Sequence, residues 1–128
     1  MPEAPKRLRI LVVDDNLDTA QSLVYLLGEM GHRAEFALDG RDALRAARRT
    51  QPDVVFLDLG LPDIDGFAVA RQLRREPGLQ GSRIVAVTGR DWDERSSQEA
   101  GCDGHLTKPL NISALENVLS VNSDSRPI

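Results

Sequence analysis

Residues 10–13, 54–57 and 84–87 form three short runs that are apolar at every position and rich in β-branched side chains. A strand with one face in water alternates apolar and polar residues, whereas a strand covered on both faces need not. Three continuous runs therefore constrain the fold strongly. They predict central strands of a parallel sheet, with helices on both sides to cover it. Each run also ends abruptly in polar residues: Asp14-Asp15 after the first, Asp58 after the second and Thr88 after the third.

The intervening segments supply the covering helices. Ala20, Leu23, Val24 and Leu27 recur at helical spacing behind Asn16, a residue suited to capping a helix start. Ala43, Leu44 and Ala47 repeat more weakly. Phe67, Ala70 and Leu73 follow a turn with Pro62 and Gly66, and Ile112, Leu115 and Leu119 form the last period. Two weaker strands fit residues 34–37 and 104–106. The nearly all-polar stretch 92–100 predicts only a short, mobile helix. The resulting β-α alternation, five times over, is the signature of an open α/β sheet, and right-handed crossovers leave few topologies. At 128 residues the chain holds one domain. Residues 1–7 read as a tail, residues 8–121 as the domain and residues 122–128 as a second tail.

Composition narrows the function classes. An apolar content of 41% is enough for a core without disulfides, and 28% charged residues in a chain with such runs speak against disorder. The formal net charge of -4 makes electrostatic binding of nucleic acid a poor fit, and the arginines at positions 41, 45, 48, 49, 71, 74 and 75 read as solvated helix faces. The single cysteine, Cys102, rules out an intramolecular disulfide and reads as a small buried hydrophobe. His32, after Gly31, reads as a solvated residue with no metal role. No stretch is long and apolar enough to span a membrane, and the first nine residues lack the apolar segment of a signal peptide, so a cytoplasmic setting without membrane contact is expected.

Strand carboxyl ends are where open α/β sheets bind ligands, at the point where strand order reverses. Gathering Asp14, Asp15 and Asp58 there is costly unless positive charge joins them. Lys108, after the last short strand, is one source; a metal ion is the other. An oxygen-only ligand set suits a hard cation, above all Mg2+, which commonly binds one or two carboxylates together with a phosphate. An aspartate can act as nucleophile toward phosphorus, and Lys108 and the Thr88 hydroxyl are natural partners for phosphoryl oxygens.

With these residues in place the chain resembles the receiver domains of two-component response regulators over nearly its full length. The carrying motifs are Leu11-Val12-Val13-Asp14-Asp15-Asn16, then Asp58-Leu59-Gly60-Leu61-Pro62, then Val87-Thr88-Gly89 and Thr107-Lys108-Pro109. The resemblance implies a five-stranded parallel sheet of order 2-1-3-4-5, with Asp58 as phosphoacceptor. It implies Mg2+ held by Asp15, Asp58 and the Gly60 carbonyl, with Asp14 acting through water. It further implies that Thr88 turns toward the phosphoryl group, that Lys108 pairs with its oxygen, and that the Lys108–Pro109 bond is cis. The donor would be a sensor histidine kinase or a histidine phosphotransfer protein, docking near the first helix. A downstream protein would read the face formed by residues 92–119. Chemistry would be limited to self-phosphorylation and slow self-dephosphorylation, with Gly60 and Arg90 flanking the site. The chain departs from the common pattern at His105, where the family usually has Tyr or Phe. A histidine there, like the Leu59-Gly60-Leu61-Pro62 wording, resembles receivers attached to hybrid sensor kinases. A switching role for His105 is weighed against a partly exposed edge-strand histidine, and the latter is favoured.

Rival readings differ at named residues. A phosphatase of the haloacid dehalogenase type uses similar groups but wants Asp-x-Asp after the first strand, where this chain has contiguous acids. A flavodoxin-like carrier wants a Ser/Thr/Gly-rich phosphate loop at the place Asp14 and Asp15 occupy. A pseudo-receiver would keep the fold without taking phosphate. Taken singly, Asp14 or Asp15 could be a helix-entry acid, Asp63 and Asp65 turn or capping residues, Thr88 a turn residue and Lys108 a surface lysine. Their conjunction at successive strand ends is what favours the receiver.

Overall fold

In a computed structural model, residues 7–61, 65–88, 101–108 and 110–124 are described, with side chains as far as Leu119. The elements alternate as the periodicities predict. They are β1 (Arg9–Val13), α1 (Leu17–Glu29), β2 (Arg33–Ala37), α2 (Gly40–Thr50), β3 (Val54–Asp58), α3 (Gly66–Arg75), β4 (Arg83–Thr88), β5 (Gly104–Thr107) and α4 (Ile112–Asp124). All strand pairs are parallel, in the order β2-β1-β3-β4-β5. The reversal of strand order after β1 opens a crevice between the carboxyl ends of β1 and β3.

The continuous apolar runs are continuous because both their faces are covered. Leu11, Val13, Val55, Leu57, Ile84 and Ala86 pack on one side against Ala43, Leu44 and Ala47 of α2 and Val69, Ala70 and Leu73 of α3. Ile10, Val12, Val54, Phe56, Val85 and Val87 pack on the other against Ala20, Leu23 and Leu27 of α1 and Leu115 and Leu119 of α4. Each fully buried Leu, Val or Phe contributes about 1.5–3 kcal/mol relative to exposure. The two weak strands, β2 and β5, are the sheet edges and mostly half-buried or exposed, which is why their sequences carry no continuous apolar run.

Local signals set the helix boundaries. Asn16 caps α1 by accepting the Thr19 N–H, Asp39 caps α2 by accepting the Asp42 N–H, and Asp65 caps α3 by accepting the Phe67 N–H. Gly66 lets α3 start hard against the chain that leaves β3: a Cβ there would lie 2.5 Å from the Leu59 Cα. Helix α4 runs on to Asp124, past residue 121 where the sequence reading closed the domain. The predicted helix at 92–100, Arg90, Asp63 and the Lys108–Pro109 bond lie outside the described residues.

Two expectations are corrected by packing. Arg74 is not a solvated arginine: its side chain is only 23% exposed. The guanidinium donates to the carbonyls of Gly101 (2.9 Å), Ser82 (2.6 Å) and Gln80 (3.3 Å), and pairs with Asp103. His32 is half-buried, and its Nδ1 accepts the Leu8 N–H at 3.1 Å, tying the start of the chain to the α1–β2 turn. Burial pushes its pKa down. Cys102 is buried, as expected of a small hydrophobe.

Candidate functional site

Register brings the acids together. Val13 of β1 lies opposite Leu57 of β3, so the next residues, Asp14 and Asp58, emerge side by side at the strand ends. Both follow the alternation of Val12 and Phe56, and so both lean toward the face covered by α1 and α4. Asp15 enters the turn before α1 and is exposed. One carboxylate oxygen from each of Asp14, Asp15 and Asp58 lies within 4.8 Å of the others.

Backbone donors fix two of the three carboxylates. The Asn16 N–H donates to Asp14 Oδ1 at 2.9 Å, and the Gly60 N–H donates to Asp58 Oδ1 at 2.9 Å. The opposite oxygens face Lys108, whose Nζ is 3.1 Å from Asp14 Oδ2 and 3.0 Å from Asp58 Oδ2. Lys108 reaches them because β5 pairs with β4 in register, Thr107 opposite Thr88, and its own N–H donates to the Thr88 carbonyl at 2.8 Å. Partial burial alone would lower the Lys108 pKa. The hydrogen bonds and charges of Asp58 and Asp14 outweigh it and hold the ammonium above its ordinary value.

Three carboxylates and one ammonium, -3 and +1, leave the cluster at -2. That charge, in a pocket where Asp14 is only 4% exposed, calls for a divalent cation. The donor set is all oxygen, which suits a hard ion. An octahedral Mg2+ with bonds of about 2.0–2.1 Å spans roughly 4.2 Å between opposite ligands. Carboxylate oxygens within 4.8 Å of one another are close enough to serve a single such ion.

Of the residues read from the sequence, Asp14, Asp15, Asp58 and Lys108 converge on one point, with Gly60 hydrogen-bonded to Asp58 beside it. Thr88 sits half-buried at the end of β4, one step beyond Val87, which is the register partner of Asp58. His105 lies on the outermost strand, β5, and is exposed. Sequence reasoning missed Arg74 and Asp103, which hold the approach to β5 and hence the strand that carries Lys108. No local pattern marks them, since the bonds that tie Arg74 to Gly101 and to Asp103 cross 27 and 29 residues of sequence.

A parallel 2-1-3-4-5 sheet with an acidic cluster and a lysine at the carboxyl ends defines a signalling module of the response-regulator class. The chain belongs to the response regulator receiver domain family, whose model matches residues 10–120. Among curated proteins it is similar to the transcriptional regulatory protein TcrA of Mycobacterium tuberculosis, 36% identical over 121 residues, covering 94% of this chain and 48% of TcrA. The chain thus spans about half the length of that relative. Among solved structures, the chemotaxis response regulator CheY4 of Vibrio cholerae superposes with a TM-score of 0.85 at 28% identity, covering 91% of this chain and 99% of that one. The receiver domain of sensor histidine kinase PA1611 from Pseudomonas aeruginosa, which holds a magnesium ion in its active-site cleft, gives a TM-score of 0.81 at 28% identity over 90% of this chain and 96% of that one. Receiver domains are signalling domains rather than enzymes of turnover. Among the described residues, no helix is long and apolar enough to cross a membrane.

Proposed function

We propose that Asp58 accepts a phosphoryl group from the phosphohistidine of a sensor histidine kinase or histidine phosphotransfer protein, in a cytoplasmic phosphorelay. The observation that carries this reading is the convergence of Asp14, Asp15 and Asp58 within 4.8 Å, with Lys108 bridging Asp14 and Asp58. A carboxylate oxygen of Asp58 attacks phosphorus, the P–N bond breaks, and the electron pair leaves with the donor imidazole, giving an acyl phosphate. Asp15, Asp58 and the Gly60 carbonyl would hold Mg2+, with Asp14 acting through water. When bound, that ion offsets the -2 charge and so admits a phosphate.

The chain's own groups do the positioning. The Gly60 N–H fixes the rotation of the Asp58 carboxylate, so the nucleophile is oriented before the donor arrives. Lys108 screens Asp14 from Asp58, and after transfer its ammonium pairs with a phosphoryl oxygen. The Thr88 hydroxyl, one position beyond the Asp58 row, turns toward the same group. That shift at the ends of β4 and β5 biases a two-state equilibrium over residues 92–119, the surface offered to a downstream protein. His105, exposed on the edge strand β5, is the second switch candidate beside Thr88. The receiver unit is taken as residues 8–121, with the last residues of α4 continuing beyond it to Asp124. The likeness to the PA1611 receiver supports attachment to a hybrid kinase.

Mass spectrometry after incubation with acetyl phosphate and Mg2+ tests the reading. One added phosphoryl group is expected on the parent chain and none on Asp58→Asn. Labelling that persists in the variant removes Asp58 from the role. A parent that stays unlabelled is a pseudo-receiver.

A further inference from the structure

At the amino ends of the strands lies a second polar cavity that the phosphoacceptor site does not use. It encloses about 320 Å³ and is lined by Arg9, Ile10, Arg33, Glu35, Arg49 and Thr50. Arg9 and Arg33 are the first residues of β1 and β2 and are register partners, so two guanidinium side chains leave adjacent strands on the same face. That face is the one covered by α2, whose last turn brings Arg49 over the opening. Like charges placed directly opposite on neighbouring strands destabilise a sheet unless a counter-charge lies between them.

The counter-charges present are incomplete. Glu35 pairs with Arg49 at 3.0 Å. Asp53 accepts the Arg9 backbone N–H at 2.8 Å but stands 4.0 Å from its guanidinium Nε. Arg33 makes no ion pair or side-chain hydrogen bond among the described residues. Three guanidiniums against Glu35 leave the lining at +2, and counting Asp53 leaves +1. The C-terminal end of α2 opposes an anion here, and Arg48 and Arg49 in its last turn offset that dipole.

We infer that the Arg9–Arg33–Arg49 cavity binds a compact phosphate dianion, either inorganic phosphate or the phosphate of a monoester. Guanidinium forks match phosphate oxygens in pairs, and the cavity is at the small end of ligand sites, large enough for a phosphate with a modest substituent. The two sites are separate. The five residues from Arg9 to Asp14 span roughly 16 Å at about 3.3 Å per residue, beyond the Debye length in physiological salt. Ligand in this cavity therefore acts on the β1–β2 edge and α2, not on Asp58 directly.

The test is ¹H–¹⁵N NMR of the whole chain, titrated with sodium phosphate at constant ionic strength with EDTA present, so that no metal can recruit phosphate to the acidic site. Saturating shifts confined to Arg9, Arg33, Arg49 and Thr50 are expected. Arg33→Gln should weaken binding about tenfold, as loss of one charge-assisted fork does. Glu35→Gln, which frees Arg49 from its competitor, should tighten it. Both positions are at the surface edge, and an unchanged spectrum elsewhere reports that each variant folds. A parallel titration with adenosine monophosphate separates the sources: tighter binding assigns the site to a nucleotide, equal binding to phosphate alone. Linear, non-saturating shifts, or saturation indifferent to both substitutions, overturn the inference.

Discussion

Replacing Arg74 by methionine keeps the aliphatic stem against Gly101 and removes the guanidinium. The loss leaves the Ser82 carbonyl, within a buried residue, without its 2.6 Å donor, and the Gly101 carbonyl without its 2.9 Å donor. Asp103 loses its cation but keeps the Ile84 N–H at 2.8 Å. The Gln80 bond, at 3.3 Å on an exposed residue, counts for little. Hydrogen bonds from a charged donor each contribute about 1.5–3 kcal/mol, and those sharing one group are not additive. A destabilisation of about 3 kcal/mol follows, which for a domain of this size lowers Tm by roughly 10 °C. Arg74→Lys keeps one donor and the ion pair but not the fork, and should recover about half of that. Urea unfolding monitored by circular dichroism gives both numbers. A loss below about 1 kcal/mol for Arg74→Met would refute the view that this arginine braces the approach to β5.

Three further outcomes are expected. Gly66→Ala drives a methyl into the Leu59 backbone at 2.5 Å and should cost about 1–3 kcal/mol in chemical denaturation, with slower labelling of Asp58 because the chain leaving β3 must shift. The His32 pKa is depressed in the fold, so its contribution to stability is present above the ordinary value of 6.5 and lost as pH falls through the folded value. Thermal unfolding between pH 7 and 5 should show that loss in the parent and a flatter profile in His32→Leu. Lys108 has the opposite sign. Its pKa is raised above 10.5, so its stabilising pairs are intact below that pH and fade as pH rises through the folded value, an alkaline limb that Lys108→Met should lack.

Much of this protein is local information. Runs such as Val54 to Leu57 declare strands covered on both faces because side-chain alternation is a property of consecutive residues. The caps Asn16 and Asp65 mark helix starts because a side chain reaches N–H groups only two or three residues ahead. The sequence by itself also determined that Asp14, Asp58 and Thr88 stand at strand ends, and hence at the ligand-binding edge of the sheet. Only the tertiary structure decided what meets across the chain. The Val13–Leu57 register places Asp14 beside Asp58, Lys108 reaches over fifty residues of sequence to Asp58, Arg74 turns inward to Asp103, and Arg9 faces Arg33. Those pairings depend on which strands lie side by side and at what stagger. That is settled by burying two faces of one sheet at once, not by the residues adjoining each group.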